Sequence, residues 1–182
     1  MKNNDNTGLV CRADFGFFDR MNIKRLYNSA FPPSERKPLS IIYSMRKKGK
    51  TDIWYFEKNG RFVGFAATIN SDSLILIDYL AVSEKHRGEG IGTKMLDRLF
   101  EIYRGKGVFV EIEKDDGSDE KQRRKRFYEN CGMTSLSTDA LLFDVPMELM
   151  GLNCTLDFDS YREFYRINYS EYAAKNIKRL RE

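Results

Sequence analysis

Between residues 73 and 103 the chain passes from an apolar run through a glycine turn into an amphipathic stretch, and this succession limits its possible folds more than any other feature. Ser73 to Val82 is a long, mostly apolar run; Ser83-Glu84-Lys85-His86-Arg87-Gly88-Glu89-Gly90-Ile91-Gly92-Thr93 follows, and Ile91, Met95, Leu99 and Ile102 recur at helical spacing. A strand that enters a helix through Gly88, Gly90 and Gly92 leaves its backbone N–H groups unscreened by side chains. It also places them at the positive end of the helix dipole. Arg87 adds a fixed positive charge, so the turn suits an anionic ligand such as a diphosphate.

The flanking patterns supply the rest of the architecture. Residues 1–12 read as a polar tail leading into a short strand. Asp19 is placed to cap a helix from about Arg20 to Ala30, with Ile23, Leu26, Tyr27 and Ala30 as its apolar stripe. Phe31-Pro32-Pro33-Ser34-Glu35-Arg36-Lys37-Pro38 must break that helix. A second helix is predicted from Leu39 to Gly49, with Ile41, Ile42 and Met45 facing inward. Asn59-Gly60 between Asp52–Lys58 and Arg61–Asn70 is a hairpin signal. The helix after the glycine turn covers about Gly90 to Tyr103, and Val108–Lys114, a strand following a helix, should run parallel to Ser73–Val82. Glu120 to Asn130 reads as a basic helix stopped by Gly132. Leu136 and the run Ala140–Leu149 supply closing strands, and residues 159–181 look helical, with an aromatic-rich face. The fold class expected is α/β (α+β): a central, mostly antiparallel mixed sheet flanked by helices. Residues 1–150 form the main domain and 151–182 a helical extension that packs on it, closes a cleft or meets a second subunit as a homodimer.

Composition excludes several classes. With 182 residues, 41% apolar and 32% charged, the chain has the make-up of an ordinary globular domain. No run approaches the roughly 18 apolar residues of a membrane span, and the polar start lacks a signal-peptide apolar region, so a cytoplasmic protein is expected. Three widely spaced cysteines, Cys11, Cys131 and Cys154, fit neither a disulfide framework nor a zinc site, and no metal is expected. Basic residues cluster at Arg46–Lys48, Lys121–Arg126 and Lys175–Arg181. They lack the interleaved aromatics of a nucleic-acid reader, so solvated helix faces or an anionic ligand account for them better.

Two common glycine fingerprints fail. The dinucleotide form needs a glycine where the chain has Thr93, and no Gly-Lys-Ser/Thr closes a Walker loop. What does match is Arg-x-x-Gly-x-Gly at Arg87, Gly90 and Gly92, preceded by Leu80-Ala81-Val82. It closely resembles the acetyl-coenzyme A motif of the GCN5-related N-acetyltransferase (GNAT) family. Arg126-Phe127-Tyr128-Glu129-Asn130-Cys131-Gly132-Met133 resembles that family's later helix-end pattern, in which a tyrosine, a glycine and a bulky apolar residue follow one another.

The resemblance implies a fold, a donor and a reaction: splayed parallel strands, acetyl-CoA, and direct acetyl transfer to a primary amine of a small molecule or peptide. It places the backbone of Leu80, Ala81 and Val82 against the thioester and pantetheine arm. The diphosphate falls on Arg87, Gly88, Glu89, Gly90, Ile91 and Gly92, with Thr93 in the first helical turn. Tyr128 maps onto the tyrosine that donates to the departing sulfur, or else is a packed aromatic. The attacking amine must lose a proton. Glu113 is the first choice for the base and Glu111 the second, the two sharing a strand face by period-2 alternation. Glu35 would orient the acceptor. His86 reads as a solvent-facing loop residue. The family's asparagine at the start of the tyrosine helix is missing from Lys121-Gln122-Arg123-Arg124, where Gln122 substitutes or the basic groups meet the 3′-phosphate. A non-catalytic acyl-CoA-binding regulatory or assembly module is the alternative.

Overall fold

Asn59 and Gly60 both adopt left-handed backbone angles, φ 51° and 71°, and the chain reverses there as their order predicts. In the computed structural model, which describes residues 3, 4 and 8–180, this turn joins β3 (Thr51–Lys58) to β4 (Arg61–Asn70). The remaining strands are β1 (Asn3–Asn4), β2 (Leu9–Arg12), β5 (Leu74–Val82), β6 (Gly107–Glu113), β7 (Thr134–Leu142), β8 (Val145–Leu152) and β9 (Ile177–Arg179). The helices are α1 (Phe17–Ala30), α2 (Leu39–Lys47), α3 (Ile91–Ile102), α4 (Asp119–Asn130), α5 (Phe158–Asn168) and α6 (Glu171–Lys175). The expectations for Met1, Lys2, residues 5–7, Arg181 and Glu182 lie outside the described residues.

Two compact units emerge, residues 1–68 with 78–102, and residues 69–77 with 103–182. The strand order is β1-β2-β3-β4-β5 in the first and β5-β6-β8-β7-β9 in the second, β4 and β5 each contributing to both. The pairings β2/β3, β6/β8, β7/β8 and β7/β9 are antiparallel, whereas β5 and β6 pair in parallel, Leu74–Leu76 against Gly107–Phe109. This is the mixed, mostly antiparallel sheet expected from the sequence.

In the first unit, Ile53, Tyr55, Phe65, Ala67, Tyr79 and Ala81 of the sheet form one core with Ile23, Leu26 and Tyr27 of α1 and Ile42 of α2. The opposite face of β4 carries Gly64, and α3 packs there. A Cβ on Gly64 would lie 2.5 Å from the Ala81 carbonyl oxygen and 2.8 Å from Met95 Sδ, so only glycine allows this approach. Ser83 N donates to Val63 O at 2.8 Å, extending the contact to the end of β5. Ile91, Met95, Leu96 and Leu99 are the buried residues of α3; Leu96, rather than the expected Ile102, completes its inner face.

Register divides the second unit's faces. Ile112, Glu148 and Asp139 stand opposite one another across β6, β8 and β7, and α4 reaches this face through Lys125, whose Nζ lies 2.8 Å from Glu148. Phe109 and Glu111 point the other way, where α5 covers them; the Phe109 ring centroid lies 5.1 Å from that of Phe164.

Several expectations need correction. Asp19 is not the cap of α1: the helix begins at Phe17 after Gly16, and Asp19 reaches back from its first turn to accept from Gly16 N at 2.8 Å. Ile41 is exposed, because α2 turns only Ile42 fully inward. The run Ala140–Leu149 is interrupted by a turn at Phe143 and Asp144, φ 49° and 65°. No glycine marks this turn; Phe143 N donates to Asn176 O at 3.0 Å and Lys178 Nζ to Asp144 at 2.7 Å. The tail is not one helix: α5 ends at Asn168, Ser170 caps α6, and Ile177–Arg179 joins the sheet beside β7.

Two expected outcomes follow. Gly64→Ala should lower stability by about 1–3 kcal/mol, since either backbone or Met95 must move; the shift in urea midpoint measures it. Asp19 is also held by Arg12, 2.9 Å away, and this bond keeps its pKa below the ordinary 3.8. A depressed folded value means that the contribution is complete above the unfolded pKa and fades as pH falls through the folded one. The stability difference between wild type and Asp19→Asn should therefore be constant near neutrality and shrink only below about pH 4, as read from urea midpoints across pH.

Candidate functional site

The glycine turn named from the sequence as an anion cradle lies in the first unit. After Val82 the chain makes a short 3-10 turn, Glu84–His86, and Arg87 Nε donates back to Val82 O at 3.4 Å. Gly88 and Gly90 then take φ 81° and 70°, with nothing within 4 Å of where their Cβ atoms would stand. Left-handed glycines on either side of Glu89 turn the backbone tightly here and leave no side chain of their own over its amides. The first bond within α3 runs from Lys94 N to Gly90 O at 3.2 Å, so the positive end of the helix dipole falls on this turn. Residues 87–90 are exposed. The cradle residues named from the sequence are thus gathered in one turn, with Leu80, Ala81 and Val82 leading into it.

Glu89 would oppose an anion, and its surroundings counter that charge. Its carboxylate accepts from Lys58 Nζ at 3.0 Å and faces His86 Nδ1 at 3.2 Å; the Lys58 bond first, then His86, lowers its pKa. Lys58, at the end of β3, was not identifiable as a cradle residue from sequence. His86, read as a solvent-facing loop residue, also has this role.

Glu35 lies exposed on the proline segment, whose backbone is clamped from beneath. Tyr79 OH donates to Glu35 O at 2.9 Å and accepts from Lys37 N at 3.0 Å, while Tyr27 OH donates to Lys37 O at 2.8 Å. Lys37 Nζ reaches Asp78 at 2.6 Å. Burial of Tyr79 raises its pKa strongly, so it remains a neutral phenol. Nothing in the sequence linked Tyr27 and Tyr79 to this loop beyond their place on apolar faces.

In the second unit the two candidate carboxylates have different surroundings. Glu113 forms an ion pair with Lys121 Nζ at 3.0 Å, and Lys121 also binds Asp116 at 2.8 Å. Asp116 first and Glu113 second raise the pKa of Lys121, so it stays a cation. Glu111, half-buried, accepts from Tyr161 OH at 2.6 Å on one oxygen and from Tyr165 OH at 2.9 Å on the other. A glutamate set between Val110 and Ile112 was the only sequence signal for such partners.

Tyr128 stands two residues before the end of α4. Met133 N and Cys131 N donate to its carbonyl at 3.1 and 3.0 Å, and Gly132 at φ 84° lets the chain turn so that Met133 is buried. Burial pushes its phenol up to about 12, against the pull of Arg124. It is therefore protonated at neutral pH and can act as a proton donor. Lys121, Arg124 and Lys125 of the basic helix are taken up in ion pairs with Glu113 and Asp116, Glu120, and Glu148. No helix among the described residues is long and apolar enough to cross a membrane.

Residues 20–133 match the model of the acetyltransferase (GNAT) family. YjbC of Bacillus subtilis, which carries an acetyltransferase name, is 30% identical over 110 residues, 60% of this chain, which spans 55% of that relative's length. A GNAT-family protein of Bacteroides thetaiotaomicron superposes with TM-score 0.72 at 20% identity, covering 85% of this chain and 92% of the other. The spermidine N-acetyltransferase of Vibrio cholerae, solved with CoA and spermine, gives TM-score 0.61 at 15% identity over 81% and 96%. These likenesses to solved structures establish the fold. With the family model matching more than half of the sequence, this chain belongs to the acetyltransferase (GNAT) family.

Proposed function

We propose that the protein transfers an acetyl group from acetyl-CoA directly to a primary amine. The observation that carries this reading is the cradle: two glycines at positive φ, Arg87 beside them and a helix N-terminus behind them, in a member of this family. The residues fit the donor. Amides from Arg87 to Gly92, with Thr93, would hold the diphosphate, and the backbone of Leu80, Ala81 and Val82 would meet the pantetheine arm. Acetyl-CoA supplies a thioester whose carbon is open to a nucleophile.

The chain's own groups handle the protons. A neutral amine forms the new N–C bond as the C–S bond breaks, with no covalent enzyme intermediate. Glu111 takes the proton that the amine sheds, and Tyr128 gives its proton to the departing sulfur. Glu111 is favoured over Glu113 because neutral phenols are the donors seen on it, whereas Glu113 has an ammonium bound to its carboxylate. Glu113 then serves as a charged neighbour. Glu35, exposed on a clamped loop, orients the acceptor, and a cationic amine suits these carboxylates. Residues 1–150 carry the cradle, Glu35, Glu111, Glu113 and Tyr128, and residues 151–182 support them. Three free cysteines are consistent with a reducing, cytoplasmic setting.

Tyr128→Phe should lower kcat by about 100-fold while leaving the KM for acetyl-CoA nearly unchanged, since the hydroxyl is needed only as the sulfur departs. Steady-state thiol release measures both, and an unchanged kcat would remove Tyr128 from the reaction. Gly90→Val, forced to φ 70°, should raise the Kd for CoA at least tenfold by calorimetry, while circular dichroism shows a folded protein. Equal affinity would refute the placement of the diphosphate.

A further inference from the structure

The proposed transfer uses Glu111 but gives no role to the two phenols that hold it. Tyr161 and Tyr165, 0% and 1% exposed, lie four residues apart on α5, so their side chains stack on the helix face toward β6. Each binds a different oxygen of Glu111, Tyr161 at 2.6 Å and Tyr165 at 2.9 Å. The rings are fixed in turn: Tyr161 and Tyr165 meet at 5.4 Å, and Phe109, two residues before Glu111 on the same strand face, lies 6.4 Å from Tyr161. Donors on both oxygens restrain the carboxylate from rotating. Phe109 and Phe164 already supply apolar contact between α5 and β6, so packing alone does not call for two buried hydroxyls meeting on one side chain.

We infer that Tyr161 and Tyr165 are positioning residues for acetyl transfer, fixing the Glu111 carboxylate in orientation and setting its basicity. This rests on Glu111 being the base of the proposed reaction. It makes α5 part of the transfer apparatus, although α5 lies beyond residues 20–133 matched by the family model. A phenol O–H that donates to a carboxylate oxygen favours the ionised form of that carboxylate. Ionisable groups near it include Tyr161 and Tyr165 from α5 and, two residues along the same strand face, Glu113, paired with Lys121 of α4. The β8 residue opposite Glu111 is Leu149, which does not ionise.

The test uses the full chain, acetyl-CoA and one fixed primary amine, so that the amine's own ionisation is common to every variant. Tyr161→Phe, Tyr165→Phe, the double variant and Glu111→Gln are compared by thiol release across pH, with Glu111 titrated by carboxyl carbon-13 NMR. Each phenylalanine should move the acid limb of kcat/KM upward by about one pH unit, and the pair by about two, because the ionised form loses a donor. The NMR titration of Glu111 should move by the same amount. At neutral pH kcat should fall about tenfold or more, with the KM for acetyl-CoA unchanged. Glu111→Gln should abolish the limb. If the tyrosine variants melt earlier but keep the wild-type limb while Glu111→Gln loses it, the phenols only seat α5 and the inference is overturned alone. If Glu111→Gln keeps both rate and limb, the assignment of the base falls and the inference with it.

Discussion

The approach of β4 to the end of β5 governs the first unit of this protein. With no side chain at Gly64, the Ala81 carbonyl and Met95 come within distances that a Cβ would forbid, and Ser83 N binds Val63 O just beyond. That contact fixes where β5 stops, and hence where the glycine turn begins. It also seats α3, through Met95, so that its N-terminus follows the turn directly. Leu80, Ala81 and Val82, the amides around Gly88 and Gly90, and the dipole of α3 are aligned because one backbone can lie close against another.

The second unit is organised around charged groups on the two faces of β6 and β8. Glu148, 6% exposed, is matched by Lys125 of α4 on one face, and Glu111 by two phenols of α5 on the other. A buried carboxylate without partners is costly, so these pairings constrain the helix that supplies them. The partners differ in kind: the ammonium of Lys125 lies against Glu148 and that of Lys121 against Glu113, whereas Tyr161 and Tyr165 bring phenol hydroxyls to Glu111.

Much of this was legible in the sequence because it rests on local signals. Asn59-Gly60, the prolines after Phe31, the glycine turn and the stop at Gly132 each act over a few residues, and the elements between them follow. The residues named from the motifs fall on the strand, turn and helix expected for them. What was hidden depends on contacts distant in sequence. Lys58 reaches Glu89 across 31 positions, and Tyr161 reaches Glu111 across 50, pairings that no periodicity encodes. The turn at Phe143 and Asp144 escaped notice because neither is glycine, and its support comes from Asn176 and Lys178 in the tail. The tail itself read as a single helix because its aromatic spacing persists past Asn168, while Ser170 starts a new helix and Ile177–Arg179 pairs with β7.

The central claim is that a backbone cradle and a protonated Tyr128 together serve direct acetyl transfer. A thiol-release assay with acetyl-CoA against a panel of cationic and neutral primary amines tests it most directly, with mass spectrometry of the acceptor and of the protein. The expected result is amine-dependent release of CoA matched one for one by N-acetylated acceptor, with no acetyl group on the enzyme. Thiol release with no amine of the panel, together with no thermal shift on adding CoA, would contradict it.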